Sequence, residues 1–176
     1  SYIVFGKSDF ASVNLSNVAA GTGGFTIDGA AFGDKSSFSI ASAGDLNGDG
    51  LTDLIIGAFG SDPAAASYAG RSYVVFGKTS TTSIALSSIA TGVGGFVING
   101  ESANDFSGYS VSSAGDVNGD GLSDVVVGAP GSDPTAGSQA GRSYVILGKT
   151  DTTAIQLSAI AAGMGGFVIN GQSAND

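Results

Sequence analysis

Apolar residues along this chain gather in short blocks separated by glycine and polar turns, and four kinds of block recur. YSVSSAGDV (109–117) alternates small or apolar residues with polar ones, the period of a strand with one face covered. DVVVGA (124–129) and SYVILG (143–148) are continuous apolar runs, rich in β-branched and aromatic residues, which suit strands covered on both faces. GGFVING (165–171) is a fourth run, bracketed by glycine and an Asn-Gly turn signal. Helical periodicity is nearly absent. LSSIA (86–90) and LSAIA (157–161) are compatible with one short helical turn between the third and fourth blocks, or with a tucked-in loop held by apolar anchors.

The blocks return in fixed register. From Tyr2 to Tyr73 and from Tyr73 to Tyr144 the step is 71 residues, and Phe25, Phe96 and Phe167 keep it. A four-stranded unit punctuated by glycine and repeated head to tail predicts an all-β fold of β-propeller blades, each of four antiparallel strands. A calcium-loaded β-roll fits less well, because its nine-residue glycine period is missing. The expected divisions are a partial blade at 1–30 (strands three and four), a blade at 31–101 and a blade at 102–176, about 2.5 blades. Because Ser1 aligns with Ser72 and Asp176 with Asp105, the chain is expected to be an excerpt of a larger propeller whose remaining blades lie elsewhere in a longer protein. Its first residues already read as a strand, as expected downstream of any targeting segment.

Composition narrows the chemistry. The chain is 42% hydrophobic and only 12% charged, with 30 glycines, so it has ample material for a core. Fifteen acidic residues against six basic ones, a net charge of −9, exclude a phosphate-neutralising surface and with it nucleic-acid binding. Neither cysteine nor histidine occurs, which removes thiol nucleophiles, disulfides and the commonest general base. No apolar stretch approaches the roughly 18 residues of a membrane-spanning helix.

Much of the acidity sits in two loops in register, GDLNGDGLTDLIIGA (44–58) and GDVNGDGLSDVVVGA (115–129). Counting from Asp45, oxygen side chains occupy positions 1, 3, 5 and 9 as Asp45, Asn47, Asp49 and Asp53, with Gly50 at the sharp turn and Leu51 offering a carbonyl at position 7. The second copy supplies Asp116, Asn118, Asp120, Gly121, Leu122 and Asp124. Three carboxylates about 4 Å apart would repel by ~4 kcal/mol per pair at an effective dielectric near 20. A hard cation such as Ca²⁺ removes that penalty and takes this kind of oxygen set. An EF-hand is excluded, since its twelfth position needs a bidentate glutamate and here carries Ile56 or Val127. The same apolar residues argue against a dockerin-type loop. The metal-free alternative is a pair of Asx and glycine turns.

FSGYSVSSAGDVNGDGLSDVVVGAP (106–130) resembles the FG-GAP repeat of integrin alpha-subunit propellers and their bacterial relatives. The resemblance implies a calcium-binding propeller with the ion in the hairpin loop between strands one and two. Position by position, it carries over Asp45, Asn47, Asp49, Leu51 and Asp53, and Asp116, Asn118, Asp120, Leu122 and Asp124, as ligands of two ions. The first unit departs from the pattern: Lys35, Ser36 and Ser37 stand where Phe106, Ser107 and Gly108 stand in the second, and its GAP reads Gly57-Ala58-Phe59. Phe32-Gly33 is the candidate for a displaced substitute. The resemblance also implies that GSDPTAGSQAG (131–141) and GESANDFSG (100–108) lie on the face opposite the calcium loops, where the family binds protein ligands.

No catalytic constellation is visible, so an enzyme is not expected. The remaining repeated polar residues are Arg71 and Arg142, Asp62 and Asp133, and Glu101 and Gln172 with Asn104-Asp105 and Asn175-Asp176. The arginines read best as strand-end residues on a solvated face, with ligand recognition as the alternative. Three functions follow as expectations: a secreted, calcium-stabilised propeller segment of a surface or adhesion protein with a protein or glycan partner, a carbohydrate-binding propeller, or the non-catalytic part of a secreted hydrolase. The second ranks lower because tryptophan is absent and Tyr and Phe are expected mostly within strands. Loops with calcium affinity of about 10⁻⁴–10⁻³ M fill outside cells, which points to an extracellular location.

Overall fold

A computed structural model describes residues 1–63, 66–134 and 137–175. The apolar runs form strands and the glycine-rich segments form the turns between them. In chain order the elements are β1 (Tyr2–Val4), α1 (Leu15–Ala19), β2 (Gly24–Asp28), β3 (Ser39–Gly44), β4 (Asp53–Ala58), β5 (Arg71–Val75), β6 (Ile84–Ala85), α2 (Leu86–Ile89), β7 (Gly95–Asn99), β8 (Ser110–Gly115), β9 (Asp124–Ala129), β10 (Arg142–Ile146), β11 (Ile155–Gln156), α3 (Leu157–Ala161) and β12 (Gly166–Asn170). The helices are single turns, one in each strand-three to strand-four connection.

Among the described residues three sheets result, ordered β1-β2-β6, β11-β7-β5-β4-β3 and β12-β10-β9-β8. The four long strands of the second and third sheets are antiparallel and in matching register, with Tyr73 opposite Val97 in one and Tyr144 opposite Val168 in the other. Sequence reasoning missed a short latch. β6 joins the preceding sheet in parallel, Ile84 opposite Ile27, and β11 does the same with Ile155 opposite Ile98. Two residues are too few to show a period, so this hydrogen-bonded link between units was silent in the sequence.

The continuous apolar runs are explained by two cores. Ile56, Tyr73 and Val75 face the first sheet, packing with Phe25, Ile27 and Leu86. Their neighbours Ile55 and Val74 face the third, packing with Phe96, Val125, Tyr144 and Ile146. The middle sheet is thus apolar on both faces, and each fully buried Ile or Val contributes about 1.5–3 kcal/mol. Close approach sets the spacing. A Cβ on Gly57 would lie 2.0 Å from the carbonyl oxygen of Gly108 in the next unit, so that position admits no side chain.

The first unit's departure from the motif resolves differently from expectation. Phe32 is fully exposed and replaces nothing. Lys35 takes the place of Phe106: both have left-handed backbone, φ 55° and 54°, and both side chains lie against the equivalent glycine, Gly60 or Gly131. Strand one forms all the same, because β3 pairs with β4 as β8 pairs with β9, down to an irregularity before Gly44 and Gly115.

Candidate metal centre

Each acidic loop joins strands one and two of a sheet, at 45–52 between β3 and β4 and at 116–123 between β8 and β9. The turn is drawn by side chains accepting from the backbone. Asp45 Oδ1 accepts from the amides of Gly48 (2.8 Å) and Asp49 (3.0 Å), and its Oδ2 from Gly50 (2.9 Å). Asp49 Oδ1 accepts from the Leu51 amide, and its Oδ2 from Asn47 Nδ2 at 2.9 Å. Gly48 and Gly50 have φ of 78° and 83°, which admits the reversal at no steric cost. The second loop repeats this: Asp116 accepts from Gly119, Asp120 and Gly121, and Asp120 from Leu122 and Asn118. The Leu122 amide and the Asn118 side chain hold the Asp120 carboxyl below its ordinary range.

Asp53 and Asp124 behave differently from the loop-tip acids. Both are fully buried as the first residues of β4 and β9. Asp53 accepts from the Leu46 amide (2.8 Å) and, across to the end of strand three, from the Gly77 amide (2.7 Å). Asp124 does the same with Val117 (2.7 Å) and Gly148 (2.8 Å). Burial pushes the Asp53 carboxyl up, the two amides oppose this, and the charges of Asp49 and Asp45 add to the rise. These aspartates tie the loop base to the neighbouring strand, a structural role that the spacing of acids alone did not reveal.

The structure therefore brings Asp45, Asn47 and Asp49 to one tip with Asp53 beneath it, and Asp116, Asn118 and Asp120 to the other with Asp124 beneath it. Among the described residues no three acidic side chains close into a ready metal-holding group. Asp45 Oδ1 and Asp116 Oδ1 each accept two amides, whereas the carboxylate oxygens that accept a single donor keep a second lone pair, and the set is all oxygen, so its chemistry fits a hard divalent cation. The first loop is also clamped by the next unit: the Ser123 amide donates to the Asp45 carbonyl (2.9 Å) and the Lys149 amide to the Leu46 carbonyl (3.0 Å). These two bonds tie the backbone of this loop to the packing of two units.

At the opposite ends of the strands lies a polar seam. Arg142 is not on a solvated face, as the sequence had favoured: its Nη1 pairs with Glu101 at 2.8 Å, both side chains at most a quarter exposed. The Tyr144 hydroxyl donates to the same Glu101 oxygen at 2.8 Å, and Arg142 Nε to Asn170 Oδ1 at 3.0 Å. Glu101 stands 41 residues before Arg142, so no local pattern betrayed the pair. Asp62 and Asp133 close their turns by accepting from the amides of Tyr68 and Gln139. Thr135 and Ala136 of the second such loop, and Asp176, lie outside the described residues.

Asp105 is buried in this seam and accepts from the Ser102 amide; burial raises its carboxyl above the ordinary 3.8. A carboxyl raised on folding binds more protons folded than unfolded, so its effect on stability worsens as pH climbs from the unfolded value through the folded one. Asp105→Asn keeps an oxygen for Ser102 and removes that effect. It is expected to melt no lower than the wild type at neutral pH, with its advantage fading as pH falls through the raised wild-type carboxyl toward the range of an ordinary aspartate. Melting curves across acid and neutral pH measure the gap.

No curated protein matches the chain. The FG-GAP repeat family matches twice, at residues 37–75 and 107–146. Each match runs from strand one through strand three of the four long antiparallel strands of one sheet and contains one acidic loop. With that match in register on both sheets, this chain carries two FG-GAP repeats, and the sheets that hold them are blades of a β-propeller.

Proposed function

We propose that the two hairpin loops each bind one Ca²⁺, and that the chain is an extracellular, calcium-stabilised propeller segment of a surface or adhesion-type protein. The ligands are Asp45, Asn47, Asp49, the Leu51 carbonyl and Asp53 in one loop, and Asp116, Asn118, Asp120, the Leu122 carbonyl and Asp124 in the other. The observation that carries this reading is the doubled loop: two copies share one hydrogen-bond pattern around an oxygen-only set, within repeats that often bind this ion. Calcium would supply the positive charge that lets several carboxylates face one point. The protein contributes the glycine reversal, the oriented oxygens and the buried aspartate that anchors the loop. Calorimetric titration is expected to give two equivalents of Ca²⁺. Asp49→Asn and Asp120→Asn should each remove one, and a stoichiometry of zero refutes the reading.

The partner is proposed to be a protein bound at the face opposite the loops. Carbohydrate binding gains from one observation. Phe38, Phe59, Tyr68, Phe106 and Tyr109 lie outside the strands, contrary to the sequence expectation, and form a partly exposed cluster with neighbouring ring centroids 4.8–6.3 Å apart. Such rings offer stacking surfaces for sugars, and a glycan array separates the two readings.

A further inference from the structure

The two seams between sheets differ at one decisive position. Between the second and third sheets, Glu101 receives both the Arg142 guanidinium and the Tyr144 hydroxyl. One repeat earlier, Arg71 and Tyr73 occupy the same strand register, and Arg71 Nε donates to Asn99 Oδ1 as Arg142 Nε does to Asn170. The position of Glu101 is there held by Ala30, which packs against the core cluster containing Tyr73. Tyr73 is 0% exposed, and its hydroxyl is buried with no hydrogen-bond partner among the described residues. A buried hydroxyl left unpaired is costly and uncommon in a native fold.

We propose that this first seam is a carboxylate-binding site, in which Arg71 and Tyr73 take from a ligand the group that Glu101 supplies internally in the next seam. What Ala30 lacks relative to glutamate is a CH₂–COO⁻ group, in effect one acetate. A guanidinium with its Nε engaged still presents terminal N–H groups to a carboxylate. Arg71 and Ala30 are only half-buried, so the carboxylate enters from the Arg71 side and must part the packing that now covers the Tyr73 hydroxyl. The buried Asp34 nearby does not forbid a second carboxylate. Its charge is set against Arg71 and it hydrogen-bonds to Ala31 and Ser61, and its counterpart Asp105 coexists with Glu101. The carboxylate has two conceivable sources, a free small acid or an acidic side chain of a partner.

The test is thermal melting of the protein at neutral pH in sodium acetate against sodium chloride of equal ionic strength, with a parallel arm in blocked glutamate (N-acetyl-glutamate methylamide). Acetate is expected to raise the wild-type Tm by a few degrees over chloride. Ala30→Glu should raise Tm in chloride and abolish the acetate increment. Tyr73→Phe should melt no lower than wild type in chloride and also lose most of the increment, which keeps the test decisive if Ala30→Glu fails to fold. Glu101→Ala should melt lower in chloride and show a larger acetate increment than the wild type, since it opens a second such seam. A larger increment from blocked glutamate than from acetate assigns the site to a partner's side chain; an equal or smaller one assigns it to a free acid. An acetate increment that is absent in the wild type, or equal in wild type, Ala30→Glu and Tyr73→Phe, overturns the proposal.

Discussion

Excess EDTA is expected to lower the melting temperature of this protein by roughly 10–20 °C relative to saturating calcium. The size follows from linkage. An ion present at a hundred times its dissociation constant adds ~2.7 kcal/mol per site to the folded state. Two loops double that, and a chain of this length shifts by about 2–4 °C per kcal/mol. The clamp on the first loop directs the loss to the joint between blades, because the Asp45 and Leu46 carbonyls accept from Ser123 and Lys149 of the next unit. Re-adding calcium should restore Tm. Magnesium should restore little, since it demands a tight octahedron and gives up water reluctantly. Differential scanning calorimetry with the two ions in turn measures the effect, and an unchanged Tm in EDTA would leave the loops as metal-free turns.

Asp53→Ala is expected to destabilise the protein by about 2–6 kcal/mol whether or not calcium is present. It strands the buried amide of Leu46 and the partly buried amide of Gly77, each worth about 1–3 kcal/mol when left unpaired. Asp49→Asn should behave in the opposite way: nearly silent in EDTA, within about 0.5 kcal/mol, because the residue is exposed. Its cost should emerge only when calcium is added. Denaturant unfolding of both variants with and without calcium separates the two kinds of aspartate within one motif. Equal effects for the two in EDTA would contradict the division between loop-tip acids and anchoring acids.

The architecture was largely legible because the repeat is written in residues whose physics is local. Val, Ile and Tyr in continuous runs name strands with two covered faces, and glycine marks the turns. The hairpin position of the acidic loops was equally plain, since Asp45 and Asp53 bracket a glycine reversal between two such runs. What stayed hidden depends on distance across the fold. The latch strands β6 and β11 are two residues long and acquire meaning only beside Ile27 and Ile98. The anchoring role of Asp53 needs Gly77, 24 residues away. The pairing of Glu101 with Arg142 spans two blades, so a strand-end arginine looked solvated when it was in fact held. Lys35 in the seat of Phe106 misled for another reason: the backbone conformation is preserved there while the side-chain chemistry is not.

Anomalous diffraction from crystals of the protein grown in millimolar calcium decides whether oxygen atoms from each hairpin loop surround a calcium ion, as proposed. One strong anomalous peak is expected at each loop, about 2.3–2.6 Å from oxygens of Asp45, Asn47, Asp49, Leu51 and Asp53 and of their five counterparts. Well-ordered loops with no peak, their tip carboxylates engaged only by the backbone amides of Gly48, Gly50, Gly119 and Gly121, would contradict the proposal.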